Sequence, residues 1–76
     1  MSMEAPAAAA RIRVNGADEL LTASTIAEFL SQRGLDPAGR GIAVARNGQV
    51  VPRARWQDEP LGAGDRIEIV HARQGG

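Results

Sequence analysis

The sequence predicts an α+β domain: a mixed sheet with one main helix packed on one face, in the order β-β-α-β-β-turn-β. Three observations carry this. Two Asn-Gly dipeptides, Asn15-Gly16 and Asn47-Gly48, each follow an apolar-alternating run. That dipeptide accepts the positive φ values of a tight hairpin turn. A capped segment with helical apolar spacing lies between the two hairpins, and a last alternating run follows them. The 76 residues suffice for one domain. A domain of this size buries only about 60% of its unfolded surface, which favours a docking surface over a deep catalytic cleft.

Residues 1–10, MSMEAPAAAA, show no strand period, and Pro6 interrupts any helix. They read as a flexible Ala-rich extension, too short to hold a helix alone. The folded domain is expected over 11–71. Arg11-Ile12-Arg13-Val14 alternates polar and apolar, as a half-buried strand does. After Asn15-Gly16, residues 18–23 read as a second strand, although Leu20-Leu21 are adjacent rather than alternating.

Thr25-Ile26-Ala27-Glu28 fits a capping box, with Ser24 as the competing cap. Ile26, Phe29 and Leu30 fall at i, i+3 and i+4 and line one helix face. Arg33 suits the negative end of the helix dipole. Gly34 is a left-handed stop, Leu35 folds back onto the helix end, and Asp36-Pro37 prevents continuation. Residues 38–41, AGRG, form a link.

Ile42-Ala43-Val44-Ala45-Arg46 is a third strand and Gln49-Val50-Val51 a fourth, closed by Pro52. A short helical turn is expected around Trp56, and Leu61 plugs the core. Gly62-Ala63-Gly64-Asp65 is a turn before the last strand, Arg66-Ile67-Glu68-Ile69-Val70-His71. Because both ends of the domain are strands, the first and last are expected side by side at the centre. Residues 72–76, ARQGG, lack an apolar anchor and read as a mobile tail.

Composition removes several function classes. Formal charge balances to zero, whereas binding a phosphate backbone needs a basic excess on one face. Phe29 and Trp56 are the only aromatics, too few for base stacking. The absence of Cys excludes disulfides, thiolate metal sites and a Cys nucleophile. His71 and the scattered carboxylates lack metal-ligand spacing. No run approaches the roughly 20 apolar residues of a membrane span, and the start lacks the pattern of a secretory signal. The expected compartment is the cytoplasm. Every basic residue is Arg, so no lysine amine is present to accept an isopeptide bond.

The element order matches the β-grasp, or ubiquitin-like, architecture. Within it the chain resembles the ThiS-type sulfur carriers of thiamine thiazole synthesis. The resemblance rests on Val14-Asn15-Gly16, on Thr25-Ile26-Ala27-Glu28-Phe29-Leu30 and on Val44-Ala45-Arg46-Asn47-Gly48. It continues through Val50-Val51-Pro52-Arg53, Trp56, Gly64-Asp65-Arg66-Ile67-Glu68-Ile69-Val70 and the terminal Gly75-Gly76. Each piece is weak alone; their order and spacing make the match specific. One stretch departs: small or aliphatic residues usually precede the glycines, and here Arg73-Gln74 stand there.

The resemblance implies a protein co-substrate rather than an enzyme. The Gly76 carboxylate is the site of adenylation and thiocarboxylate formation, on a carrier tail that includes Gly75, Gln74 and Arg73. No catalytic or metal-binding residue is implied. The implied partners are an E1-like adenylating enzyme, thiazole synthase and a sulfur donor such as a cysteine desulfurase. ATP and magnesium belong to the activating partner, and this chain binds no cofactor. Glycine suits the tail because, without a Cβ, it threads a narrow channel unstrained.

Strand parity turns Ile67 and Ile69 towards the helix and Val70 and Ala72 away from it. Val70, Ala72, Val51, Ala43 and Ala45 are the candidates for a partner-docking face, against the plainer reading of a second buried sheet face. His71 reads as structural or surface, Trp56 as packing, and Arg73 and Asp58-Glu59 as solvated charge. Two rivals stand beside the thiamine carrier. One is the small sulfur-carrier subunit of molybdopterin synthase, whose glycines usually follow a Pro-Pro approach where this chain has Ile69-Val70-His71-Ala72. The other is a β-grasp docking module that carries nothing.

Overall fold

A computed structural model describes residues 10–36, 38 and 40–71. The expectations for the extension at 1–9 and the tail at 72–76 lie outside the described residues. Ala10, read as extension, already accepts a hydrogen bond from the Leu21 N–H at 2.9 Å, so strand pairing starts one residue before Arg11.

The strands are β1 (Arg11–Val14), β2 (Ala17–Leu20), β3 (Ile42–Arg46), β4 (Gln49–Val50) and β5 (Arg66–His71), with helix α1 (Ile26–Gln32) between β2 and β3. They form one sheet in the order β2-β1-β5-β3-β4. β1 and β5 run parallel, pairing Arg13 with Arg66 and Val14 with Ile67, so the first and last strands meet at the centre as the sequence predicts. β3 lies antiparallel to β5 along its whole length.

Both hairpins turn on two residues. Asn15 and Gly16 have φ of 50° and 87°, Asn47 and Gly48 of 54° and 86°, which is the turn whose twist matches that of the flanking strands. β2 ends at Leu20 rather than at residue 23. Ala23 is drawn into the core, and Thr22 bonds Gln32 through both its hydroxyl and its carbonyl, so the chain leaves the ladder after Leu21, whose N–H makes the last bond, to Ala10.

Thr25 caps α1, its hydroxyl accepting the Glu28 N–H at 3.2 Å. The Glu28 carboxylate reaches back to the Ser24 N–H at 2.8 Å, one residue before the cap. At the other end the Leu35 N–H bonds the Leu30 carbonyl and the Gly34 N–H bonds Ser31. Gly34 has φ of 78°, and the whole is a Schellman stop. Arg33 lies over the Phe29 ring at 5.1 Å and pairs with Glu19 at 2.7 Å.

The core fills the space between α1 and the sheet. Ile12, Val14, Val44, Ile67 and Ile69 from the strands meet Ile26, Phe29 and Leu30 from the helix. The expected turn near Trp56 is a 3-10 turn, Arg53–Arg55, which delivers the buried indole into this core. Its Nε1–H donates to the Val51 carbonyl at 2.8 Å. Leu61 joins the core as expected.

Leu30 is fully buried. Leu30→Ala is expected to lower the unfolding free energy by about 2–5 kcal/mol in urea denaturation. Leu20→Ala, on an exposed edge position, is expected to change it by at most about 0.5 kcal/mol.

Candidate functional site

β5 leads to the segment on which the sequence places the chemistry. Gly76, Gly75, Gln74, Arg73 and Ala72 themselves lie outside the described residues. What the structure describes is how the strand before them is held, and the face it presents.

The start of β5 is tied by one carboxylate. Asp65 is only 8% exposed. It accepts Asn47 Nδ2–H at 3.0 Å, Arg46 Nε–H at 2.8 Å and the Gly62 N–H at 2.7 Å. Burial pushes its pKa up, but the hydrogen bonds from Asn47, Arg46 and Gly62 and the Arg46 charge outweigh burial and hold it below the ordinary carboxylate value. Arg46 gains from the same pair, its pKa raised first by the hydrogen bond to Asp65. Its Nη1 also meets Glu59 at 3.0 Å. Among the described residues no buried side-chain polar atom lacks a partner.

Two asparagines grip the strand from opposite sides. Asn47 donates its backbone N–H to the Arg66 carbonyl at 2.7 Å, and its Oδ1 accepts the Arg66 N–H at 2.8 Å. Asn15 donates its backbone N–H to the Ile67 carbonyl at 2.9 Å, and its Oδ1 accepts the Ile69 N–H, also at 2.9 Å. A preference for hairpin turns suffices to place both dipeptides, and it is silent on these side-chain bonds. Each joins residues far apart in sequence, so no local spacing announces it.

Among the described residues, none covers the sheet face opposite α1. Val70 is 59% exposed there, and Ala43, its partner across the strands, is exposed too. Ala45 is half-buried and lies opposite Val50 in register. Val51 is a correction: it is 6% exposed and belongs to the core. The two-residue turn pairs Arg46 with Gln49 and Ala45 with Val50, and Val51 N–H then bonds the carbonyl of buried Val44. Val51 therefore shares the face of Val44, and Val50, 73% exposed, takes its place on the open side. The turn length alone contained this answer. Farther down the same face, Arg11, Arg13 and Arg66 with Asp18 line a depression of about 340 Å³.

His71 is exposed at the end of β5, and Trp56 is a packing residue as read from the sequence. Among the described residues no three His, Cys, Asp or Glu side chains cluster as a metal site, and no described helix is long and apolar enough to cross a membrane.

The model of the ThiS family matches residues 8–76. Among solved structures, the chain is similar to the crystal structure of a thiamine biosynthesis protein (ThiS) from Geobacter metallireducens, with a TM-score of 0.74 and 23% identity over 87% of this chain and 99% of that one. An NMR solution structure of a thiamine biosynthesis protein from the same organism gives 0.69 and 25%, covering 87% of each chain. No curated protein sequence matches. The architecture is the β-grasp fold.

An Asp65→Asn substitution reports on the tie at the start of β5. An unfolded Asp titrates near about 3.9, and the folded value lies lower. The stability Asp65 adds is thus complete above the unfolded value and is lost as pH falls through the folded one. Asp65→Asn should therefore be less stable than wild type by about 1–3 kcal/mol at neutral pH. The gap should close below about pH 4; urea melts across that range measure it.

Proposed function

The chain belongs to the ThiS family, the sulfur carriers of thiamine biosynthesis, and from that premise we propose that its Gly76 carboxylate is adenylated and then converted to a thiocarboxylate. The observation that carries this reading is the family match itself, which runs from residue 8 through Gly76 and so includes the Gly75-Gly76 end. An α-carboxylate is ionised at neutral pH, with a reference pKa of about 3.3–3.7. One of its oxygens attacks the α-phosphorus of ATP and pyrophosphate leaves. A sulfur nucleophile then adds to the carbonyl carbon and AMP leaves: sulfide gives the thiocarboxylate directly, whereas a donor persulfide gives an acyl disulfide that a thiol must cleave, forming a disulfide as it releases the thiocarboxylate. The thiocarboxylate passes its sulfur to the growing thiazole.

No side chain of the carrier takes part in those steps. The E1-like adenylating enzyme supplies the groups that bind ATP and magnesium. A donor such as a cysteine desulfurase supplies sulfur, and thiazole synthase receives it. These partners meet a carrier whose open face combines Val70, Ala43, Ala45 and Val50 at one end with Arg11, Arg13 and Arg66 at the other. An apolar patch with a polar rim is the ordinary form of a docking surface. The match to the ThiS family, together with the thiamine biosynthesis proteins among the similar structures, supports thiazole synthesis as the destination.

Intact mass spectrometry after incubation with ATP, the adenylating enzyme and a sulfur donor tests the reading. A carrier gains the mass difference between sulfur and oxygen, and deletion of Gly76 abolishes the gain. A docking module gains nothing. Val70→Asp tests the face: the variant should fold, and the activating enzyme's KM for it should rise about tenfold, equivalent to about 1.4 kcal/mol of contact energy. An unchanged KM removes Val70 from the interface.

A further inference from the structure

β1 accompanies β5 only part of the way. The pairing runs from Arg13 with Arg66 to Val14 with Ile67, after which β1 turns at Asn15-Gly16 into β2. On its other side β5 stays paired with β3 as far as His71. Alternate residues of a strand direct their backbone groups to opposite neighbours. Asp65 and Ile67 face β1, where the N–H groups of Arg13 and Asn15 donate to their carbonyls. Ile69 faces the same side, where β1 no longer runs.

The Asn15 side chain occupies that place. Its Oδ1 accepts the Ile69 N–H at 2.9 Å, and its Nδ2 approaches the Ile69 carbonyl at 3.5 Å. The amide thus reaches along the strand from a residue that is itself exposed. We infer that Asn15 is a positioning residue for the carrier tail: its amide acts as one further residue of β1 and, with β3 holding the other side as far as His71, fixes the direction in which β5 ends. This rests on Gly76 being the reacting end. Gly76 lies seven positions beyond Ile69, at most about 23 Å of chain, so a small tilt at Ile69 can displace the carboxylate by several ångströms. A fixed end to β5 presents the chain to a partner's channel in one direction, and preorganisation of that kind acts on binding. Once the tail is threaded, the channel holds it. The effect therefore falls on KM and not on kcat.

The test compares the two turns. Asn15→Gly keeps the turn, since glycine accepts its φ without strain, and deletes both contacts to Ile69. Asn47→Gly does the same at the opposite turn and loosens the start of β5 instead. Asn15→Asp keeps an oxygen for the Ile69 N–H. In Asn15→Gly the Ile69 amide should exchange with solvent about fivefold or more faster relative to Ile67. The adenylating enzyme's KM for this variant should rise about threefold to tenfold with kcat within about twofold. Asn15→Asp should stay near wild type in KM. Asn47→Gly should lose thermal stability at least as much and keep the wild-type KM. An Ile69 amide that stays protected in Asn15→Gly overturns the inference. So does a KM that is unchanged, or one that rises equally in both glycine variants. A wild-type chain that is not adenylated at all overturns the functional reading and this inference with it, while the exchange data still decide whether the contact exists.

Discussion

The grip on β5 is the constraint from which the rest of this molecule follows. The strand lies between β1 and β3, with Ile67 and Ile69 driven into the core on one face. Asp65 ties its first turn to Arg46, Asn47 and Gly62. Asn47 fastens Arg66 and Asn15 fastens Ile69. A buried carboxylate is costly unless it is paired and hydrogen-bonded; here three donors satisfy it. The same bonds that make Asp65 tolerable locate the strand.

Holding that strand leaves the opposite sheet face bare, and the fold uses a single helix to cover only one side. Among the described residues nothing covers that face, and in the proposed reading it is the surface on which larger proteins dock. Such a division suits a protein that supplies no acid, base or nucleophile from its side chains. In the proposed reading, the carrier contributes a reactive end, a fixed base for it and a surface by which enzymes find it, and the reactions belong to those enzymes.

Much of this was legible before any coordinates. The Asn-Gly turns, the Thr25 cap, the Gly34 stop and the apolar spacing of Ile26, Phe29 and Leu30 are local signals, and local signals placed every main element. The β2 end and the side of Val51 were misread for a shared reason: each depends on pairing. Val51 would have been placed correctly by counting back from the two-residue turn to Val44. The bonds of Asp65 to Arg46 and Asn47, and those of Asn15 to Ile69, depend on contacts across the fold and have no local signal. The open face around Val70 and Ala43 followed from strand parity, whereas Val50 and the three arginines needed the register.

Native-state hydrogen exchange under rising denaturant tests the central claim, that β5 is the most firmly held element. The account predicts that the amides of Ile67, Glu68 and Val70 open only with the free energy of global unfolding, while those of β2 and β4 open at lower free energy. Amides of β5 that open by partial unfolding while either edge strand stays protected would contradict it.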